Sequence, residues 1–249
     1  MANSDSGDSL ISRFDRILDA FTAAEDTVSA TEIARRAGLP TATAHRLCRD
    51  MASHGWLDAL DDGYAVGTRL WEVANRSSQR TKLAVLARPY LADVQAVVGQ
   101  HVQLGVVEGP EVLFIDRLSG RDSPRIHGGV ARRLPLHLSA TGLVLLAHMP
   151  PALREEHRRS HVGEEHLSLV DEERLAHVRT HGYCVQTGAI ESDITGVAVP
   201  VIRRGRGVAA GLGLVTDDPD VGRRPAPWIQ ILQIAVRGIR RELNGRPAR

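Results

Sequence analysis

The stretch VSATEIARRAGLPTATAHRLCRDM, residues 28–51, constrains this 249-residue chain more than any other. Ser29 and Glu32 have capping-box spacing, and Val28 and Ile33 sit at the flanking staple positions, so a helix starts at Ser29. Gly38 can take the left-handed conformation that closes it. Pro40 and Thr41 open a further helix, with Thr41 expected at the N-cap. Ala44, Leu47, Cys48 and Met51 recur at helical spacing as its inward stripe, and Gly55 ends it. The first turn of that helix holds nothing larger than threonine (Thr41, Ala42, Thr43, Ala44), and His45 and Arg46 follow at once. A short helix, a tight turn and a second helix are the order of a helix-turn-helix.

The flanks complete a domain. Upstream, LISRFDRILDAFTAA places Leu10, Ile11, Phe14, Ile17, Leu18 and Phe21 on one helical face. Downstream, WLDAL and YAVGTRL bracket Asp-Asp-Gly and predict a β-hairpin. The sum is a winged helix-turn-helix over residues 9–67. Residues 68–80, TRLWEVANRSSQR, predict a connecting helix that frays into a polar linker. Residues 81–245 alternate differently: a helix in KLAVLARPYLADVQAVVG, strands HVQLGVVEG and EVLFIDRLSG joined at Gly109-Pro110, a helix within LPLHLSATGLVLLAHM, another in DEERLAHVRTHG, a hairpin about Arg204–Gly207 and a last amphipathic helix. Strands bracketed by helices imply an α+β domain, one sheet with helices packed on it.

The second helix of such a motif lies in the DNA major groove, its N-terminal residues toward the base edges. Thr41, Ala42, His45, Arg46 and Arg49 fall opposite the inward stripe. Arg46 can grip a guanine with two hydrogen bonds or hold a phosphate, and Thr43 offers a hydroxyl or a methyl group. Arg35 and the hairpin tip, Asp62 and Gly63, extend this face. Net charge is only +1, and residues 1–80 carry nine arginines against twelve acids, so no global field draws nucleic acid. The local excess is Arg35, Arg36, Arg46 and Arg49 against Glu32 and Asp50. The competing reading is a small bundle whose His and Arg form a solvated face, or a winged helix that docks protein or serves a small-molecule-binding module without touching DNA.

Other functions find little purchase. No apolar run reaches the ~18 residues of a membrane span, and MANSDSGDSL lacks a signal-peptide pattern, so a cytoplasmic location is expected. Cys48 and Cys184 form no framework. The nucleophile elbow, the Walker loop, the dinucleotide fingerprint and HExxH are absent from the sequence, so no enzyme and no cofactor is expected. REEHRRSHVGEEH is histidine-rich, but its Glu and Arg neighbours predict a solvated helix and loop, and no metal site. In LHLSATGLVLLA, Ser139 can cap a helix whose first residues, Ala140, Thr141 and Gly142, turn backbone N–H groups outward. Small side chains and the positive end of a helix suit a carboxylate.

The segments RFDRILDAF, TEIARRAGLPTATAHRLCRDMASHGWL and YAVGTRLWEVA resemble the N-terminal domain of IclR-type bacterial transcription regulators. IDRLSG, RLPLHLSATGLVLLA, GYCVQTGAIESDITGVAVPV and VAAGLGLV follow in that family's order, so the resemblance spans Ser9 to Leu243. It implies a winged helix-turn-helix joined to a GAF-like α/β effector domain. It also implies a homodimer or homotetramer on a near-palindromic DNA operator, a small organic effector, and repression as the expected sign. The implied effector residues are Leu118, Ser139, Ala140, Thr141, Gly142, Glu191, Asp193, Gly196, Leu212 and Leu214. Several positions depart from the family pattern. Leu143 stands where relatives carry Lys, Gln186-Thr187 where an acidic pair is common, and Gly196 where a Cys occurs. Thr41 and Ala42 replace a basic residue and a serine. Leu212 and Leu214 replace hydroxyl side chains of relatives with small polar effectors, which implies an aromatic or medium-chain acid or a hydrophobic metabolite.

Overall fold

The computed structural model describes residues 8–22, 25–121, 123–124, 126, 132–163 and 171–245. The chain divides into two compact units, Met1–Gln79 and Arg80–Arg249.

The first unit holds α1 (Leu10–Asp19), α2 (Ala30–Ala37), α3 (Thr41–Ser53), the hairpin β1 (Leu57–Leu60) and β2 (Gly63–Val66), and α4 (Thr68–Ser77). The Ser29 hydroxyl accepts from the Glu32 N–H, and Gly38 closes α2 in the left-handed conformation. Val28 and Ile33 are both buried beside this cap. The Glu32 carboxylate is gripped by Arg35 and Arg36. Pro40, not Thr41, caps α3, and no side chain bonds there. Thr41 is the first helical residue; proline's fixed φ suits the helix entrance. Ala44, Leu47, Cys48 and Met51 are buried as phased, around Ile17, Ile33 and Leu57. Leu10 and Ile11, assigned to the same apolar face of α1, are 63% and 79% exposed. The core begins one turn later, at Phe14 and Ile17. Val28 and Tyr64 exchange two backbone hydrogen bonds of 2.9 Å, which ties the free edge of β2 to the residues before α2.

The second unit is built on one antiparallel sheet, ordered β5-β4-β3-β8-β7-β6. The strands are β3 (His101–Glu108), β4 (Glu111–Leu118), β5 (Arg133–Pro135), β6 (Cys184–Thr187), β7 (Thr195–Arg203) and β8 (Gly207–Thr216). One face is covered by α5 (Gln79–Val98) and α10 (Ala226–Gly245) through Leu91, Val94, Leu232 and Ile239. The other carries α6 (Ala140–Ala147), whose eight residues are all buried, with α8 (Glu172–His181) behind it. The remaining helices are α7 (Pro151–Ser160) and the short α9 (Pro219–Arg223), and a 3-10 turn, Leu136–Leu138, precedes α6. No helix among the described residues is long and apolar enough to cross a membrane.

Strand β4 is irregular near its end. Gly105 pairs Phe114, but its neighbour Leu104 pairs Asp116, so Ile115 is an extra residue in the ladder. A bulge of this kind keeps two successive side chains on one face. Ile115 joins the core under α5, and Asp116 accepts a 2.8 Å bond from Arg88 of α5.

Candidate functional site

On the first unit, Thr41, Ala42, His45, Arg46 and Arg49 are exposed, and Thr43 is half-buried beside them. Four of the exposed residues offer a hydroxyl, an imidazole or a guanidinium, and Ala42 offers close approach. Arg46 makes one long 3.5 Å contact to Asp50, with both side chains mostly in water. Exposed pairs of this kind are worth ~0.3–0.5 kcal/mol, so Arg46 is easily recruited by another anion. Arg35 is held more firmly, with 2.8 and 2.6 Å bonds to both Glu32 oxygens. Asp62 accepts a 2.9 Å hydrogen bond from Thr27. Gly63 has no room for a side chain: a Cβ there would lie 2.5 Å from the Val28 carbonyl oxygen. Asp62 and Gly63 therefore fix the hairpin to the residues before α2.

On the second unit, a cavity of about 720 Å³, counting its open mouth, lies between the sheet and the start of α6. Ser139, Ala140, Thr141, Glu191, Gly196 and Leu214 border it. Leu118, Gly142, Asp193 and Leu212 do not. Leu118 packs beyond the bulge on the α5 face. Asp193 is exposed. Leu212 lies in the core under α10, and Leu214 belongs to the same core although it also borders the cavity. The β8 positions that face α6 are Gly211 and Gly213, where a Cβ would come 2.9 and 2.4 Å from the Thr141 side chain. Gly196 similarly leaves the Ala140 methyl uncovered, at 3.3 Å from where its Cβ would be.

At the head of α6, Ser139 Oγ accepts the Gly142 N–H at 3.0 Å. Gly142 is a packing residue: a Cβ there would lie 2.2 Å from the Leu136 carbonyl oxygen. Ala140 and Thr141 supply the first two N–H groups of the helix, which have no acceptor within it. An anion at such a terminus gains ~0.3–1 kcal/mol when exposed and up to ~2 kcal/mol when partly buried.

Sequence reasoning missed the strongest group in the cavity wall, Arg117, together with Gln103, Phe114, Leu134, Leu138, Ile190 and Ile194. Gln103 and Arg117 are direct cross-strand partners. His101 orients Arg117. Its Nε2 lies 2.6 Å from the Pro124 carbonyl and donates, so Nδ1 accepts, with Arg117 Nη2 and Ser119 Oγ each at 2.9 Å. Burial, with Arg117 adding to it, lowers the His101 pKa and keeps the ring neutral. Burial also lowers the Arg117 pKa, while the guanidinium stays charged. Gln186 borders the cavity too, and Arg174 holds its amide oxygen. The whole is an apolar-walled chamber bordered by the half-buried Arg117, the exposed Arg132, Glu191 and one helix N-terminus, and it suits an apolar body carrying a carboxylate.

The described part of the histidine-rich segment is a mostly exposed helix, as its neighbours suggested, but its His157 turns inward. His137 and His157 are 0% and 4% exposed, and His161 is half-buried against them. The 3-10 turn brings His137 to α7 across twenty residues of sequence, a contact periodicity alone does not reveal. His166 lies outside the described residues.

Residues 11–61 match the IclR helix-turn-helix domain, and residues 76–240 match the domain described as bacterial transcriptional regulator IclR C-terminal. The chain is similar to an IclR homologue of Microbacterium hydrocarbonoxydans solved in complex with 4-hydroxybenzoate. The two share 38% identity, with 94% of this chain and 99% of that one covered and a TM-score of 0.83. It is also similar to the HTH-type transcriptional regulator XynR of Escherichia coli, at 28% identity over 81% of this chain and 83% of that protein. The transcriptional repressor IclR of the same organism is 26% identical, over 68% of this chain and 65% of its own length.

Proposed function

This chain belongs to the IclR family of DNA-binding bacterial transcription regulators, and from that premise we propose what it senses and how it reads DNA. The effector is an aromatic monocarboxylate of hydroxybenzoate size. The observation that carries this is the chamber itself, where apolar walls meet Arg117 and the N–H groups of Ala140 and Thr141. The carboxylate sits between that guanidinium and that helix end, and the ring lies against Phe114, Leu134 and Ile194. The 4-hydroxybenzoate complex of the Microbacterium relative supports the same class. Leu212 does not contribute to ligand choice, because it faces the opposite core.

Residues 9–67 bind the operator, 81–245 hold the effector, and 68–80 connect them. Thr41, Ala42, Thr43, His45, Arg46 and Arg49 meet the major groove, with Arg35 at its edge. A homodimer or homotetramer spans a near-palindromic site whose halves lie one DNA turn or a multiple of it apart. The exposed Leu10, Ile11 and Trp71 of the first unit support a second copy covering them. The protein acts in the cytoplasm, with repression its expected sign. Effector binding changes operator occupancy by favouring one arrangement of the winged domains over another.

The test is a footprint on DNA upstream of the protein's own gene, with and without 4-hydroxybenzoate. Protection of two related half-sites that the ligand alters is expected. A folded protein that protects nothing points to the docking-module alternative. Tighter binding of acetate or pyruvate than of the benzoate in calorimetry would remove the aromatic assignment.

A further inference from the structure

Away from the chamber, the residue of α7 that is buried is a histidine. In PALREEHRRS, charged side chains surround His157, which is 4% exposed. Its Nε2 lies 3.2 Å from Nδ1 of His137, itself fully buried in the turn before α6. His161 follows four residues on, its ring centroid 4.2 Å from that of His157 and 5.0 Å from that of His137. The nitrogens that the three rings offer all lie within 4.8 Å of one another. The 3.2 Å contact uses one nitrogen of each ring, and Nδ1 of His157 is buried on the far side of its ring.

We propose that His137, His157 and His161 form a zinc site that ties α7 to the turn leading into α6. Zinc bound by imidazoles at ~2.0–2.1 Å in tetrahedral geometry separates neighbouring nitrogens by about 3.3 Å. The His137–His157 spacing of 3.2 Å already has this value. His161 offers the third nitrogen, within 4.8 Å of the other two. Its Nδ1 donates to the His157 carbonyl at 2.8 Å, which fixes the tautomer and leaves Nε2 for the metal. A backbone carbonyl behind a ligating histidine is the usual supporting contact in zinc proteins. His161 is half-buried and gives the ion a path in, and three imidazoles leave the fourth position to water. His137 is one residue from Leu138 and two from Ser139, both bordering the chamber, so the metal would stiffen the chamber's wall.

The test uses the full chain made without a histidine tag, stripped with chelator and titrated with zinc chloride in a calorimeter. One zinc per chain is expected, with a rise in Tm and a tetrahedral cobalt(II) absorption band when cobalt replaces zinc. His161→Ala, at the more exposed corner, should keep the fold and lose at least ~100-fold in zinc affinity, more than removal of a supporting contact costs. His137→Asn and His157→Asn should each lose the cobalt band as well. A His177→Ala/His181→Ala pair, which removes an exposed stacked pair on α8, should change neither affinity nor band. Zinc uptake below one per chain, or uptake that survives His161→Ala unchanged, would overturn the proposal. Loss of zinc only in the α8 variant would overturn it too.

Discussion

Replacing Arg117 with glutamine tests the sensing chemistry most directly. The guanidinium borders the chamber and is held by His101 Nδ1 at 2.9 Å. Glutamine keeps a polar amide of lesser reach and removes the charge. His101 keeps its bond to the Pro124 carbonyl and its Ser119 contact, so the strand should stay in register. A hydrogen bond to a charged group contributes ~1.5–3 kcal/mol net, and ~1.4 kcal/mol is one decade of affinity. Affinity for 4-hydroxybenzoate should therefore fall roughly 10- to 150-fold. It should not vanish, because the head of α6 still offers two N–H groups worth up to ~2 kcal/mol. The assay is calorimetry with 4-hydroxybenzoate and 4-hydroxybenzamide on both proteins. The native protein should prefer the acid, and Arg117→Gln should lose most of that preference while binding the amide about as before. Equal losses for acid and amide would mean that Arg117 shapes the wall and does not pair with the carboxylate. No loss for either would place the ligand elsewhere.

Arg46→Ala should cost ~1–3 kcal/mol of operator affinity with circular dichroism unchanged, because Arg46 shares only a long exposed contact with Asp50; gel shifts measure this. The double substitution Thr41→Lys with Ala42→Ser should tighten DNA binding and steepen its salt slope by about one, and no change would mean that the exposed start of α3 faces away from DNA. Gly142→Ala would place a methyl 2.2 Å from the Leu136 carbonyl; calorimetric unfolding should show a loss of ~1–3 kcal/mol, as for other overpacked sites. Arg35, then Arg36, hold the Glu32 pKa at about 2, down from 4.5. Because that pKa is depressed, the stabilisation of α2 is present above pH 4.5 and is lost as pH falls toward 2. An acid titration of helicity should show this, and Arg36→Gln should flatten it.

The DNA-facing half was legible because its signals are local. Ser29 caps α2, Gly38 ends it, and the Ala44–Met51 stripe fixes which face of α3 is outside; each is set within one or two turns. The cap of α3 lies one residue before the expected Thr41, since Pro40 and a threonine are both acceptable at a helix entrance. Ser139 is legible as a cap for the same local reason, whereas Gly142 reads as lining when its missing Cβ serves the turn beneath it. What escaped depended on register. Strict alternation from Phe114 brings Leu118, not Arg117, to the chamber, and the extra Ile115 is visible only once β3 is paired. The face chosen by Leu212 likewise depends on which helix lies on which side of β8. The histidine cluster depended on a turn that joins residues far apart in sequence.

The close seat of Thr141 on Gly211 and Gly213 has a consequence for how this chamber can change over evolutionary time. Neither glycine tolerates a side chain, so mutation there would lift Thr141, and with it one wall of the chamber, off the sheet. The chamber's apolar wall at Leu134, Ile190 and Ile194, none of them fully buried, is open to variation that leaves α6 in place. New effector preferences in such a chain would arise at those side chains, while the seat of α6 on the sheet stays as it is.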